Sequence, residues 1–117
     1  MNESILQSIK KLLGLGEFYE AFDQDILIHI NSVFMILRQL GVGPDQGFRI
    51  TGSSETWSDF TSDDIFVESV KTYMYLKIRL IFDPPQNSSL TQAIQSQIAE
   101  LEWRLNVAST EDRPNAI

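Results

Sequence analysis

The sequence predicts a mainly α domain, a single bundle of about four helices with a long loop or short β-hairpin between the second and third. Three observations carry that expectation. Apolar residues recur at three- and four-residue spacings in four segments, capping residues, glycines and a proline pair punctuate those segments, and one stretch between them has no helical period. At 117 residues, with 43% hydrophobic and 21% charged, the chain has the material for one core and not two. The expected organisation is one domain over residues 1–108 and a flexible C-terminal tail over 109–117.

The first helix is expected over residues 4–13, where Ile5, Leu6, Ile9, Leu12 and Leu13 share a face and Gly14 stands where a left-handed cap ends a helix. Lys10 and Lys11 fall in its last turn, where the helix dipole favours positive charge. A linker with Glu17, Phe18, Tyr19 and Phe22 follows. Asp23 is expected to cap a second helix striped by Ile26, Ile30, Val33, Leu37 and Leu40, and Gly41 ends it. Leu27 and Phe34 widen that stripe, so this helix is expected to touch more than one neighbour.

Over 42–60 the period disappears into glycine, proline, serine and aspartate, with Phe48, Ile50, Trp57 and Phe60 interspersed. The brief alternation at 48–51 allows a two-stranded ribbon, and a loop this long in a small domain is often functional. Thr61 and Asp64, at capping-box spacing, open a third helix that continues to Phe82, roughly 30 Å of rod at 1.5 Å per residue. Its second half, 73–82, is apolar over nearly the whole circumference, so this helix is expected to be either central in its own domain or also covered by another subunit. Asp83, Pro84 and Pro85 stop it. Ser88 or Ser89 is expected to cap a fourth helix to Asn106, along which Leu90, Ile94, Ile98, Leu101 and Leu105 form a narrow seam.

Sixteen acids against nine bases give a net charge of −7, which disfavours a grip on phosphate backbones or anionic membranes. The absence of cysteine removes disulfides, thiol catalysis and cysteine-ligated metals. Residues 1–4 are polar and the lysines follow the first apolar residues, so no secretory leader is expected; the apolar runs are too short to span a membrane.

No catalytic, cofactor or metal site emerges. His29 has Asp25 four residues before it on one helix face, but no nucleophile is placed beside them, and an edge histidine with a local partner accounts for the spacing. The acids Glu55, Asp59, Asp63, Asp64 and Glu68 match no calcium loop; capping, dipole stabilisation and solvation account for them. Glycines 41, 43 and 47 lack the lysine and Ser/Thr pair of a phosphate loop.

Taken in order, Lys10, Lys11, Leu12, Leu13 and Gly14, the helix ending at Leu40 and Gly41, and the loop with proline and tryptophan form a recognisable series. It continues through Val70, Lys71, Tyr73, Leu76, Lys77, Leu80, Phe82, Asp83, Pro84 and Pro85, and closes with Glu100, Leu101, Glu102, Trp103, Arg104, Leu105 and Asn106. Over 4–106 the chain resembles the small head-to-tail connector, adaptor or head-completion, proteins of long-tailed bacteriophages and prophages. That resemblance implies a non-enzymatic structural protein of the virion neck, made in the bacterial host cytoplasm. It further implies a ring, usually dodecameric, beneath the portal, contacts with portal and neighbouring tail or stopper proteins, and a channel through which DNA passes without specific binding.

On this reading Tyr73, Leu76, Leu80 and Phe82 are candidates for the subunit interface, Phe48, Ile50, Trp57 and Phe60 for loop contacts, and Trp103, Arg104 and Arg113 for portal contacts. The loop is expected to face the channel or a neighbour. The alternative is a cytosolic helical regulator or antitoxin-like binding module that dimerises through the 90–105 seam. Because neither reading uses His29 chemically, His29→Gln is expected to leave melting temperature and assembly nearly unchanged; lost function in a normally folded variant would reopen the catalytic reading.

Overall fold

Ser4 opens the first helix as its side chain promises, its hydroxyl accepting from the Gln7 amide at 3.2 Å. The computed structural model describes residues 2–111 and gives them five helices: α1 (Ile5–Leu12), α2 (Asp23–Gln39), α3 (Trp57–Phe60), α4 (Asp64–Phe82) and α5 (Ser88–Glu111). The architecture is all-α, as expected, with one short helix added inside the long loop. α4 is the centre: α1, α2 and α5 all pack on it. That three-sided enclosure answers its nearly circumferential apolar sequence, since Val67, Val70, Tyr73, Met74, Leu76 and Ile78 are all buried within the one chain.

Several helix ends differ from their expected form, each for a local reason. Asp23 does not cap α2; Phe22 occupies the cap position without a side-chain bond, and the Asp23 carboxylate turns instead to Lys10. α4 is capped by Asp63, whose Oδ1 accepts from the amides of Ile65 and Phe66 at 3.0 Å each. Carboxylate capping from the third residue occurs one helix earlier, where Asp59 of α3 accepts from the Thr56 amide at 2.9 Å. α5 is capped not by a serine but by Asn87, which accepts from Ser89 and Leu90.

α5 also runs five residues past Asn106, so residues 107–111 are helix and not tail. Ser109 is buried and donates to the Leu40 carbonyl at 3.1 Å, while Asn106 donates to the same oxygen at 3.0 Å. The C-terminal part of α5 thus supplies side-chain partners to a carbonyl at the end of α2, where the helix itself leaves its last carbonyls without amide donors. The remainder of the expected tail, with Arg113, lies outside the described residues.

The long loop does not make a ribbon: among the described residues there is no strand, only an isolated antiparallel bridge between Ser4 and Thr56. The reason lies in Asn31 of α2. Its side-chain amide accepts from the Ile50 amide at 2.8 Å and donates to the Ile50 carbonyl at 2.9 Å, supplying the two bonds a partner strand would otherwise give. The loop is therefore drawn down onto α2. Phe48 and Phe60 meet Phe34 at ring-centroid separations of 5.0 Å each and one another at 5.4 Å, with Trp57 at 6.4 Å from Phe34. Gly43 makes room for this cluster: its φ is +95°, and a Cβ there would stand 2.6 Å from the Phe60 ring.

The far end of the loop is fixed to α1. The Ile5 amide bonds to the Glu55 carbonyl at 3.0 Å, and the fully buried Trp57 donates its indole N–H to the Ser8 hydroxyl at 2.8 Å. Ser8 passes its own proton to the Ile5 carbonyl at 3.0 Å, so every polar atom in the chain of contacts has a partner.

Asn31→Ala removes both bonds to buried Ile50 at once. Urea denaturation is expected to show a loss of about 2–4 kcal/mol, whereas Ser32→Ala on the exposed neighbour stays within about 0.5 kcal/mol. Equal effects for the two would refute the bracketing role of Asn31.

Candidate functional site

The surfaces able to carry function are those where large apolar side chains stay in water after the core has closed. Within the described residues the most exposed are Phe18, 90% accessible, Ile65, Trp103, Met35 and Ile81. Isolated exposed apolar residues are ordinary, but clustered ones mark contacts. Two places meet the stricter test.

The first lies at the end of α4. Phe82 meets Phe22 edge-on at 5.1 Å, and Phe22 leans on Tyr19 at 5.7 Å, so the α1–α2 linker and the last turn of α4 form one half-exposed aromatic group. Ile81 stands exposed in the same turn, and Phe18 projects from the linker. The linker is held in place by Lys10, whose ammonium lies 2.9 Å from Asp23 Oδ1 and donates to the Glu17 carbonyl at 3.1 Å. Lys10 has no accessible surface, so its charge must be answered internally.

Burial separates the four α4 candidates. Tyr73 and Leu76 lie inside the protomer, where no neighbour reaches them; Leu80 and Phe82 are half-buried at the outer end. Tyr73 is an internal tie between helices, donating to Glu102 Oε2 of α5 at 2.7 Å. Most of the apolar surface of 73–82 is thus covered by its own chain, which leaves Tyr75 half-buried and the more open portion at residues 80–82.

The second place is an open cavity of about 370 Å³ between α2 and the folded-down loop, lined among others by Asn31, Phe34, Met35, Arg38, Phe48 and Arg49. Of the four loop candidates, Ile50, Trp57 and Phe60 are core residues, Trp57 and Phe60 through the aromatic cluster on Phe34 and Ile50 under its two bonds to Asn31; of the four, only Phe48 lines this cavity. The loop is accordingly a wall of the cavity and not a projecting arm. Sequence reasoning missed Phe18, Ile81 and Met35 as surface residues. The signal for Phe18 was its place in a linker between two acids.

α5 presents Trp103, 67% accessible, with Arg104 beside it in an exposed ion pair to Glu100. Ile94, Ile98 and Leu105 of the seam are buried on the inner side of α5, against the bundle, so the seam is not free to pair with a second chain. The acidic run resolves into local structure. Glu55 accepts from the Thr51 amide and hydroxyl at 2.8 and 2.9 Å, and although desolvation pushes its pKa up, these bonds hold it below the usual carboxylate range. Among the described residues no three histidine or acidic side chains converge as a metal site requires.

A family model described as phage connector protein matches residues 5–112, nearly the whole chain. The chain belongs to that family. No curated protein and no solved structure matches it. Membership makes the connector a phage structural protein of the virion neck, associated with portal and tail proteins. None of its described helices is long and apolar enough to cross a membrane.

Burial, followed by the bond to the Glu102 carboxylate, raises the Tyr73 phenol above its ordinary pKa. A group raised in the folded state stabilises fully below its unfolded pKa, near 10 for tyrosine, and that contribution falls as pH rises further. The stability difference between the parent and Tyr73→Phe, followed by urea denaturation from pH 8 to 11, is therefore expected to shrink above about pH 10. Parallel curves over that range would show that the phenol proton is not held by Glu102.

Proposed function

We propose that this connector is one subunit of a ring, of dodecameric type, that seats beneath the portal and continues the DNA channel toward the tail. The family match over 5–112 carries this reading, because it spans the whole helical bundle and not one motif within it. The structure supports it by offering separate apolar surfaces on different elements of a small domain: the aromatic group at the end of α4, the cavity beside α2 and the Trp103 face of α5. A ring subunit needs two unlike surfaces for its neighbours and a further one for the portal.

Trp103 and Arg104 are assigned to the portal side. Tryptophan and arginine are among the residues most enriched where binding energy concentrates, and the Trp103 indole stands two-thirds exposed in the free domain. The surplus of acids suits the channel, since carboxylates near DNA let it slide and do not hold it. The exposed end of α4, Leu80 to Phe82, is assigned to the subunit boundary.

Electron microscopy of the connector mixed with its purified portal is expected to show a ring extending the portal axis. A discrete dimer that ignores the portal would overturn the reading. Trp103→Ala is expected to weaken portal binding by about 2 kcal/mol or more with an unchanged melting temperature. Removing residues 112–117, which leaves Ser109 on the Leu40 carbonyl, is expected to preserve the fold while weakening portal binding; undiminished binding removes that segment from the interface.

A further inference from the structure

We infer that neighbouring copies join through a contact between unlike surfaces, in which Phe18 of one copy enters the cavity between α2 and the loop of the next, with Glu17 and Glu20 facing Arg38 and Arg49. The inference rests on the ring reading and specifies which two surfaces meet.

The shapes match first. Phe18 leaves 90% of its surface in water, the highest exposure of any large apolar residue among those described. The turn that bears it is fixed at both ends, because Lys10 holds the Glu17 carbonyl and Asp23 on either side, and the Tyr19 amide closes the turn on the Gly16 carbonyl at 3.1 Å. A knob held that way loses little conformational freedom on docking. The cavity is open, about 370 Å³, and has Phe34 and Phe48 among its lining residues and the 65%-exposed Met35, the adaptable side chain that suits an aromatic guest.

The charges match second. Copies carrying −7 each repel at long range, so contact needs a local exception. Residues 16–22 contain two acids and no base. The cavity is lined by Arg38 and Arg49, with no acid among its described lining residues. Arg38 is steadied by its Nε bond to the Asp45 carbonyl at 3.0 Å.

The distance along α2 decides between self-filling and neighbour-filling. The knob precedes the first turn of α2, and the α2 residues that line the cavity run from Asn31 to Arg38, roughly 12–23 Å farther along at 1.5 Å per residue. Held at that distance, a knob does not fill its own cavity; with each copy giving its knob to one neighbour and receiving another's, the contact is heterologous, the kind that closes into a ring where the rotation between copies allows.

The absence of native cysteine makes the test clean. The double variant Phe18→Cys, Met35→Cys, assembled on purified portal and oxidised, is expected to yield a ladder of covalent multimers, whereas each single variant stops at dimer. Because Phe18→Cys removes the knob itself, Glu20→Cys with Arg49→Cys is run alongside as a pair that leaves it in place. Arg49→Glu is expected to weaken assembly about tenfold, and adding Glu20→Arg to restore most of it. Rings on the portal with no ladder from either cysteine pair would overturn the contact and leave the ring reading standing. Ladders without rings would support the contact and overturn the ring reading, and the absence of both would overturn both.

Discussion

A lysine ammonium with no water around it must find its counter-charge inside the protein, and Lys10 finds Asp23. Leaving either charge unanswered in the interior costs several kcal/mol, so the last turn of α1 and the first turn of α2 are held together wherever else the chain goes. Asp23 Oδ1 has no well-directed hydrogen bond, so the contact acts as a charge pair; the ammonium directs a bond to the Glu17 carbonyl instead. That single group therefore fixes two points, one within the linker at Glu17 and one at its far end at Asp23. It explains why Asp23 is drawn away from capping α2 and why the linker cannot collapse over its own aromatic residues. Phe18 is left outside because the residues flanking it are held elsewhere.

A second constraint acts on the long loop. Polar backbone can lie against a core only when its amides and carbonyls are satisfied, and here side chains and the chain start do so. Asn31 takes both groups of Ile50, Glu55 takes the Thr51 amide, and the main chain near Ser4 pairs with Glu55 and Trp57. With those bonds made, Ile50, Trp57 and Phe60 can be buried at full benefit, and Trp57 then finds Ser8 for its indole. The loop packs as firmly as a helix would without having a helix's period. Its glycines and polar residues mark turns, while its few apolar residues determine where it lies.

These two constraints explain what could be read in the sequence. Helices were legible because caps, dipole charges and the Pro84–Pro85 break act over three or four residues: the expected spans of α1, α2 and α4 agree with the structure to within a residue or two. The loop's fate was not legible, because it depends on Asn31, nineteen residues before Ile50, and no local pattern announces that pairing. The same holds for the end of α5, whose polar composition reads as tail until Ser109 is seen against Leu40. Among the candidate residues, Trp103 and Phe82, nominated from chemistry alone, keep surface in water. Tyr73 and Leu76 could not be placed correctly, since whether an apolar helix is covered by its own chain or by another depends on how many helices surround it. The resemblance to connectors, carried by the order of elements from Lys10 to Asn106, was legible and agrees with the family match.

The same physics bears on how a subunit of the proposed ring would stay apart from its copies until assembly. Several of its basic side chains are already engaged within the chain: Lys10 by Asp23, Lys71 by Glu3 and Arg104 by Glu100. What remains outward is predominantly acidic, and net charge of one sign opposes random association at a distance while a close, complementary contact still gains from desolvation. A few exposed apolar residues, presented on turns that the core holds rigid, then give the domain directional contacts without making it adhesive all round. In the proposed ring, a subunit built this way would gain most when a template raises its local concentration, because each heterologous contact alone would be small and only closure around an axis would make the contacts mutually reinforcing.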